Sequence, residues 1–416
     1  MDRKALIRQN YLRVGIHYFK RIKKQDPSGN VYTTLEKWSK ETIKDDYSVG
    51  SDSKPYLLVP KYDQFCNIPD NSDQYQQVQN CTYNIYQKPT HEPREGSIEQ
   101  TMTFLKHIYS EDYLDFGLDY ITLLWTHPKQ RLPIHCLVSK AQKTGKSTFL
   151  HWLRAIFQSN MAVIQNHDFE SQFNAHYANK NYLAVDETQM DIEKRANAEK
   201  IKYITTSPST YVNFKGVDKK EVDYYAKLFL NSNLEEDFVY IESEDTRFFI
   251  RKVPPVKQEN PDFFQELCRE IPAFLYFLEN RDLVYPRVSR LWFDPAVYQT
   301  EARQKIIQNT KPKYQRIIDN FIEECFQSFE VDELKFTPKD IWDQVRDYYR
   351  FIDQYKVRDY LRQERGMCPL TVENGKVIRY ECYKLQQSLQ EDEPLGFLQD
   401  EEVVPVKSYK VARVGR

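Results

Sequence analysis

The sequence lacks any hydrophobic run that approaches the roughly 20 residues a membrane-spanning helix needs. Its first residues, M-D-R-K, also lack the apolar stretch of a secretory signal. Hydrophobic residues make up 40% of the chain and charged residues 29%, an ordinary balance for a globular protein in water. These absences exclude a membrane partner and predict a cytoplasmic protein.

Paired cysteines and an excess of charge are missing too. The seven cysteines are scattered, with no C-x-x-C spacing and no histidine pair at zinc-finger spacing nearby. We therefore expect reduced thiols, not structural zinc or a disulfide framework. With 59 basic and 61 acidic side chains the net charge is −2, which does not mark a nucleic-acid binder. A balanced net charge does not exclude a nucleic-acid binder, because a ring-shaped protein can confine its basic residues to a central channel.

The apolar residues of the middle of the chain predict an α/β fold. Short apolar strands at 133–138, 182–185, 228–230 and 247–253 alternate with helical periodicity such as that of 147–157. Such alternation is typical of a parallel sheet covered by helices, with ligands at the carboxyl ends of the strands. We expect the strand at 228–230 to lie between the first two strands.

The length of 416 residues allows two or three domains, each with its own core. Composition and periodicity divide the chain into six segments. They are an accessory α+β domain at 1–95, a helical collar at 96–130, the α/β core at 131–255, a helical lid at 256–285, a winged-helix-like domain at 286–386 and a loose tail at 387–416. In the accessory domain, the runs at 11–19 and 55–60 read as strands. The winged-helix-like domain rests on a capped helix start at 337–342, helices at 341–352 and 355–365, and a hairpin at 370–384 that turns at 373–375. Such a domain could bind either duplex DNA or a protein partner.

A phosphate-binding loop is the strongest local signal. Residues 139–148, S-K-A-Q-K-T-G-K-S-T, lie between an apolar strand and a helix, as such a loop requires. The ATP-binding residues we expect are Gln142, Lys143, Thr144, Gly145, Lys146, Ser147 and Thr148. Lys146 would reach the β- and γ-phosphates, and the Ser147 hydroxyl would hold Mg²⁺. Lys140 replaces the usual first glycine, and a chance G-K-S-T at a helix start is the alternative.

Polar residues follow two further strands. Asp186 would hold Mg²⁺ through water, and Glu187 would polarise the attacking water. Asn233, after the strand at 228–230, could bond the γ-phosphate or that water. A solvated strand end and a turn-forming asparagine are the alternatives. The loop and the carboxylates reinforce each other, because they occur in the order that a nucleotide-hydrolysing site needs.

Together these motifs resemble superfamily 3 helicases of the AAA+ class, particularly the primase-helicases of phages and mobile elements. The resemblance covers about residues 90–280 and rests on K-x-x-x-T-G-K-S-T, A-V-D-E-T, L-F-L-N-S-N and E-D-T-R-F-F-I. It implies an AAA+ P-loop ATPase core with Asn233 as the sensor asparagine. It also implies that Arg247 is supplied to the ATP of the neighbouring subunit. Arg251 shares a side of that strand, and a salt bridge is the alternative role for either arginine.

The resemblance also implies a β-hairpin that grips DNA inside a ring. Lys215, Lys219 and Lys220 surround Gly216 between the second and third strands. Ammonium groups at such a tip would contact the phosphates of single-stranded DNA. A solvated charged turn is the alternative.

The function implied is an ATP-dependent DNA helicase or translocase that forms a hexameric ring in the cytoplasm of a bacterial host. A separate primase or polymerase would be a partner, because the chain lacks an apolar strand ending in the D-x-D carboxylates of two-metal polymerisation. Two alternatives stay open. One is an ATP-switched loader that does not unwind processively, and the other is a P-loop kinase that acts on a small molecule.

Overall fold

The structure is a computed structural model that divides into two compact units, Met1–Lys311 and Pro312–Arg416. The residues it describes are 2–25, 29, 31–47, 54–170, 177, 179–187, 195–212, 220–235, 238–239, 241–242, 244–256, 260–310, 313–329, 333–346, 352–367, 370–372 and 380–386. The predicted boundaries at 95, 130, 255 and 285 all fall within the first unit. The predicted tail at 387–416 lies outside the described residues.

Two small sheets begin the first unit. Their elements are α1 (Arg3–Asn10), β1 (Tyr11–Val14), β2 (His17–Gln25), β3 (Val31–Trp38), α2 (Lys40–Tyr47), β4 (Lys61–Tyr62), β5 (Gln64–Cys66), β6 (Val78–Gln79) and β7 (Thr82–Asn84). The strand orders are β3-β2-β1-β4 and β5-β7-β6. The apolar run at 11–19 is two strands because Gly15, at φ +55°, turns the chain between them. The run at 55–60, which reads as a strand, is instead a 3₁₀ helix over Pro55–Leu58.

The core of the first unit is a five-stranded parallel sheet. Its elements are α3 (Glu99–Tyr109), α4 (Leu114–Thr126), β8 (Ile134–Val138), α5 (Lys146–Phe157), β9 (Met161–Gln165), α6 (Asn166–Glu170), β10 (Tyr182–Asp186), α7 (Arg195–Thr206), β11 (Ser209–Val212), β12 (Lys220–Asp223), β13 (Lys227–Ser232), β14 (Phe248–Lys252), α8 (Phe263–Asn280) and α9 (Glu301–Thr310). The order is β14-β8-β13-β10-β9, and every neighbouring pair is parallel. The predicted place of β13 between β8 and β10 is confirmed.

Helices cover both faces of this sheet. Every residue of β8 and β13 is buried, and successive side chains enter opposite layers, as the pleat requires. Leu137 and Phe229 pack in one layer with residues of α3, α4, α5 and α8. Cys136 and Leu230 pack in the other with residues of α7 and α9. The sheet is therefore fixed from both sides, and its carboxyl edge is a rigid base for the loops that follow it.

Buried polar contacts tie residues 67–91 to this core. The Asn71 amide donates to the Trp125 carbonyl at 2.9 Å, and the Asn160 side chain bonds the Gln87 backbone in both directions. His91 Nε2 lies 2.9 Å from the Ala155 carbonyl. The accessory segment is thus joined to the core by hydrogen bonds.

The second unit is a small helix-and-sheet fold. Its elements are α10 (Lys313–Phe329), β15 (Glu333–Phe336), α11 (Pro338–Val345), α12 (Gln354–Asp359), β16 (Leu370–Val372) and β17 (Tyr380–Gln386). The predicted capped helix start is confirmed, because Thr337 and Asp340 form a capping box. The predicted hairpin is confirmed as the antiparallel pair β16–β17, and β15 adds a strand to β17. The turn predicted at 373–375 lies outside the described residues. Among the described residues, no helix combines the length and the apolar character that a membrane span requires.

Candidate nucleotide-binding site

The loop between β8 and α5 is shaped by two residues in the left-handed region. Gly145 has φ +87° and precedes α5. A Cβ at Gly145 would lie 3.1 Å from Cε2 of Phe104, so glycine is favoured there by both conformation and space. Lys143 has φ +57°. The backbone of Lys140 is not in the left-handed region, so the first position of the loop does not need glycine.

The Lys146 side chain is buried within this loop. Its Nζ donates to the Ser139 carbonyl at 3.1 Å and to Thr144 Oγ1 at 3.3 Å. Burial lowers the pKa of Lys146, while the carboxylates of Asp186 and Glu235 act against that shift. The ammonium group is therefore held in place by neutral acceptors, with negative charge nearby.

The carboxylates at the end of β10 face the start of α5. Asp186 Oδ1 accepts from Ser147 Oγ at 3.3 Å and from the Glu187 backbone N–H at 3.2 Å. The predicted magnesium residues, Ser147 and Asp186, are thus neighbours. Glu187 is exposed and has φ +56°. A glutamate in that conformation is strained, which is typical of functional sites.

Asn231 lies at the centre of the site, although the sequence directed attention to Asn233. Asn231 is 1% exposed, and its Nδ2 donates to Asp186 Oδ1 at 3.3 Å. Its Oδ1 has no hydrogen-bond partner in the described part of the chain. Asn233 also lines the cleft, but it follows the end of β13 and is exposed. An amide directly after the apolar run at 228–230 is the signal that could have found Asn231.

These residues line one cleft at the carboxyl edge of the sheet. Its volume is about 320 Å³. The lining residues are Ala141, Gln142, Lys143, Thr144, Gly145, Lys146, Ser147, Thr148, Asp186, Glu187, Asn231, Ser232 and Asn233. Every predicted ATP-binding and metal-binding residue is among them. The cleft has the chemistry of an anion site beside an oxygen-rich cation site.

Three residues outside the motifs hold the loop backbone from other elements. Glu235, shortly after β13, accepts the Lys140 N–H at 2.8 Å. Val256, after β14, donates its N–H to the Lys143 carbonyl at 2.9 Å. His107 Nε2 of α3 lies 3.0 Å from the Thr144 carbonyl. These contacts join residues far apart in the sequence, and no local pattern predicts them.

Arg247 lies at the opposite edge of the sheet from this cleft. It directly precedes β14, whose first residue pairs with Ile134 at the start of β8. Its guanidinium forms two hydrogen bonds to Asp245, at 2.7 and 2.5 Å. Five residues of strand separate it from the loop edge, a span of about 16 Å. Arg247 is therefore too far away to complete its own cleft.

The predicted DNA-contacting hairpin is described only in part. β11 and β12 pair antiparallel, with Val212 opposite Lys220. Lys215 and Lys219 lie outside the described residues. The antiparallel pair agrees with the predicted hairpin, whose tip is not described.

Comparison with known proteins gives fold similarity and one family of unknown function. Residues 137–251 match that family, DUF5906. No curated protein matches the chain. An apo structure of the NrS-1 C-terminal region (305–718) has a TM-score of 0.59 at 17% identity, covering 88% of this chain and 86% of that one. An A-form apo structure of the same region has a TM-score of 0.61 at 17% identity, covering 91% and 97%.

At such low identity this likeness shows the fold alone. A JCV helicase structure aligns with a TM-score of only 0.28 at 15% identity, over 55% of this chain and 66% of that one. An alignment that weak supports no conclusion about this chain. The fold therefore has solved counterparts.

Proposed function

We propose that this chain is an ATP-dependent DNA helicase or translocase with an AAA+ ATPase core. The observation that carries the proposal is the convergence of Lys146, Ser147, Asp186 and Asn231 on one cleft. That cleft follows three adjacent parallel strands, β8, β13 and β10. Ligands of open α/β sheets bind at such carboxyl edges.

The residues of the cleft suit ATP with Mg²⁺. The first N–H groups of the 12-residue α5 point toward the loop and favour phosphate. The Oδ1 of Asn231, which has no partner among the described residues, is a buried acceptor that calls for a donor such as a bound water. Ser147 and Asp186 offer the oxygen ligands that Mg²⁺ prefers. When bound, Mg²⁺ would neutralise phosphate charge.

These residues then divide the steps of hydrolysis among them. Lys146 would exchange its backbone and hydroxyl acceptors for phosphate oxygens. Glu187, exposed at the cleft, would orient and polarise the attacking water. Asn231 would hold Asp186 in position through its amide nitrogen and bind the water through its amide oxygen. Asn233 is the exposed alternative for that last role.

The nucleic-acid part of the proposal rests on the β11–β12 hairpin and on the second unit. Lys215, Lys219 and Lys220 are proposed to contact single-stranded DNA within a hexameric ring. In the second unit, the order helix, strand, helix, helix, strand, strand is that of a winged helix. We propose that it binds duplex DNA or a partner such as a separate primase or polymerase.

Two variants of the full chain test the ATPase proposal. Lys146→Ala and Glu187→Gln should both abolish ATP hydrolysis while thermal melting stays close to that of the wild type. Their nucleotide affinities should differ, because only Lys146→Ala removes a phosphate contact. Equilibrium binding of a fluorescent ATP analogue measures this. Wild-type hydrolysis in Glu187→Gln would show that another group activates the water.

Assays of the wild type separate the helicase from its rivals. A helicase should show ATPase activity stimulated by single-stranded DNA and should unwind a forked duplex. A loader would show the stimulation without unwinding. A small-molecule kinase would ignore DNA and transfer the phosphoryl group to an added acceptor.

A further inference from the structure

Glu235 joins three elements at the start of the phosphate-binding loop. Its Oε1 accepts the Lys140 backbone N–H at 2.8 Å, and its Oε2 accepts Lys252 Nζ at 2.7 Å. Glu235 follows β13, Lys140 opens the loop after β8, and Lys252 is the last residue of β14. We call the contacts among Lys140, Glu235 and Lys252 the Glu235 bridge.

The Glu235 bridge bears on the one departure of the loop from its usual pattern. Lys140 stands where phosphate-binding loops ordinarily have glycine. Its backbone is not left-handed, and its N–H is engaged by a carboxylate. The left-handed turns come later, at Lys143 and Gly145. The start of the loop is thus held by the carboxylate of Glu235, which lies outside the loop. A charged acceptor forms a stronger hydrogen bond than a neutral one.

The charge of Glu235 is balanced by Lys252. The Glu235 side chain is 13% exposed, whereas that of Lys252 is 60% exposed. Burial raises the pKa of the Glu235 carboxyl, but the hydrogen bonds from Lys252 and from the Lys140 backbone outweigh it and lower the pKa. The carboxylate is therefore ionised at neutral pH. Without Lys252 its charge would oppose phosphates in the adjacent cleft.

We propose that Glu235 is a positioning residue that holds the loop ready for phosphate by accepting the Lys140 N–H. Lys252 keeps that acceptor oriented and electrically balanced. Because Glu235 and Asn231 flank the end of the same strand, the bridge also ties the loop to the residue that bonds Asp186. This proposal rests on the proposed function of the cleft as a nucleotide site.

The test compares affinities for ATP and adenosine in a Glu187→Gln background, which prevents turnover. Affinities come from competition against a fluorescent ATP analogue. Glu235→Ala should weaken ATP binding about tenfold or more, the scale of one charged hydrogen bond. Adenosine binding should not change, because the bridge acts only on the phosphate loop. Glu235→Gln keeps an oxygen acceptor and should stay within about threefold of the parent.

A charge swap separates positioning from simple stabilisation. Glu235→Lys with Lys252→Glu can restore an ion pair, but lysine cannot accept the Lys140 N–H. The swapped variant should therefore bind ATP as weakly as Glu235→Ala does, even if its melting temperature returns to the parental value. Glu242→Ala breaks the exposed ion pair with Lys202 and is the matched control, with unchanged affinity.

Rescue of ATP affinity by the swap, or parental affinity in Glu235→Ala, would overturn the bridge as a positioning device. Because the measurement is binding, a wild type that binds ATP without hydrolysing it would contradict the proposed function alone. A wild type that does not bind ATP would overturn both.

Discussion

Asn231 is a buried amide with half of its hydrogen-bonding groups engaged. Its Nδ2 bonds Asp186, and its Oδ1 has no partner among the described residues. An unsatisfied buried polar group costs about 1–3 kcal/mol. Such a cost is expected where a side chain serves a ligand, because function overrides local packing rules.

We expect Asn231→Ala to reduce ATP turnover by about 10²–10³, the loss typical when one preorganised donor or orienting group is removed. Nucleotide affinity should change little, since Lys146 and the loop remain. Asn233→Ala is the matched control and should have the smaller effect, because Asn233 is exposed beyond the strand. Single-turnover kinetics with both variants measures this. A larger loss in Asn233→Ala would return the role to that residue.

The sequence could predict that the loop and the carboxylates lie together, because each motif is a run of contiguous residues that follows a strand, and the structure places them in one cleft. It singled out Asn233 and passed over Asn231, although both lie on the same side of a strand by alternation. The structure ends β13 at Ser232, so that Asn231 is buried and Asn233 is exposed beyond the strand, and strand ends are the least certain feature of a sequence pattern. Glu235 was missed for another reason. Its bond to Lys140 joins residues 95 apart in the chain.

At the scale of elements, the alternation of strands and helices in the sequence was enough to predict that β13 lies between β8 and β10. Two errors have physical causes. Gly15 divides an apolar run into a hairpin, and Pro55 begins a 3₁₀ helix in a segment that is otherwise strand-like. α10 was not predicted, although Ile318, Ile322 and Phe326 recur at helical spacing on its buried face.

The β11–β12 hairpin carries the DNA prediction. Replacing Lys215, Lys219 and Lys220 together by alanine should weaken single-stranded DNA binding. The slope of log K against log salt should fall by about 0.7 for each phosphate that the lysines no longer neutralise. ATPase activity without DNA should persist, because none of the described residues of β11 and β12 lines the cleft. Titrations by fluorescence anisotropy at several salt concentrations give both quantities.

The control for that triple variant removes the same charge elsewhere. Lys106, Lys202 and Lys305 each form an ion pair with a carboxylate on the surface of the first unit. Their replacement by alanine should leave the salt slope unchanged. Equal reductions in affinity for the two triple variants would mean that total charge, not the hairpin, governs DNA binding.

At the scale of the whole molecule, the two edges of the sheet carry different groups. The carboxyl edge carries the cleft, and the amino edge carries Arg247, held by Asp245. Arg303 packs against the same acidic residue by donating to its carbonyl at 2.8 Å. This arrangement suits either a structural ion pair or an arginine offered to a neighbouring subunit. The sequence alone could not separate these, because the distance from Arg247 to its own cleft depends on the sheet.

Arg247 in a ring should act in trans, since it cannot reach its own cleft. Arg247→Ala should then bind ATP normally but hydrolyse it about 10³- to 10⁵-fold more slowly. This is the rate effect of an arginine that is supplied to a γ-phosphoryl group. Asp245 should be retained in this variant so that only the guanidinium is removed. Steady-state ATPase assays and nucleotide titration measure the two effects separately.

Mixing two inactive variants tests the trans role directly. In a ring of head-to-tail interfaces, random equal mixing of Arg247→Ala with Glu187→Gln leaves about one interface in four with both groups intact. ATPase activity should therefore partly return. Lys146→Ala mixed with Glu187→Gln is the control, because both residues belong to the same cleft and no interface is made whole. If mass spectrometry detects mixed assemblies that remain inactive, Arg247 does not act on its neighbour, and its pair with Asp245 is structural. Full activity in a verified monomer would contradict the ring as well.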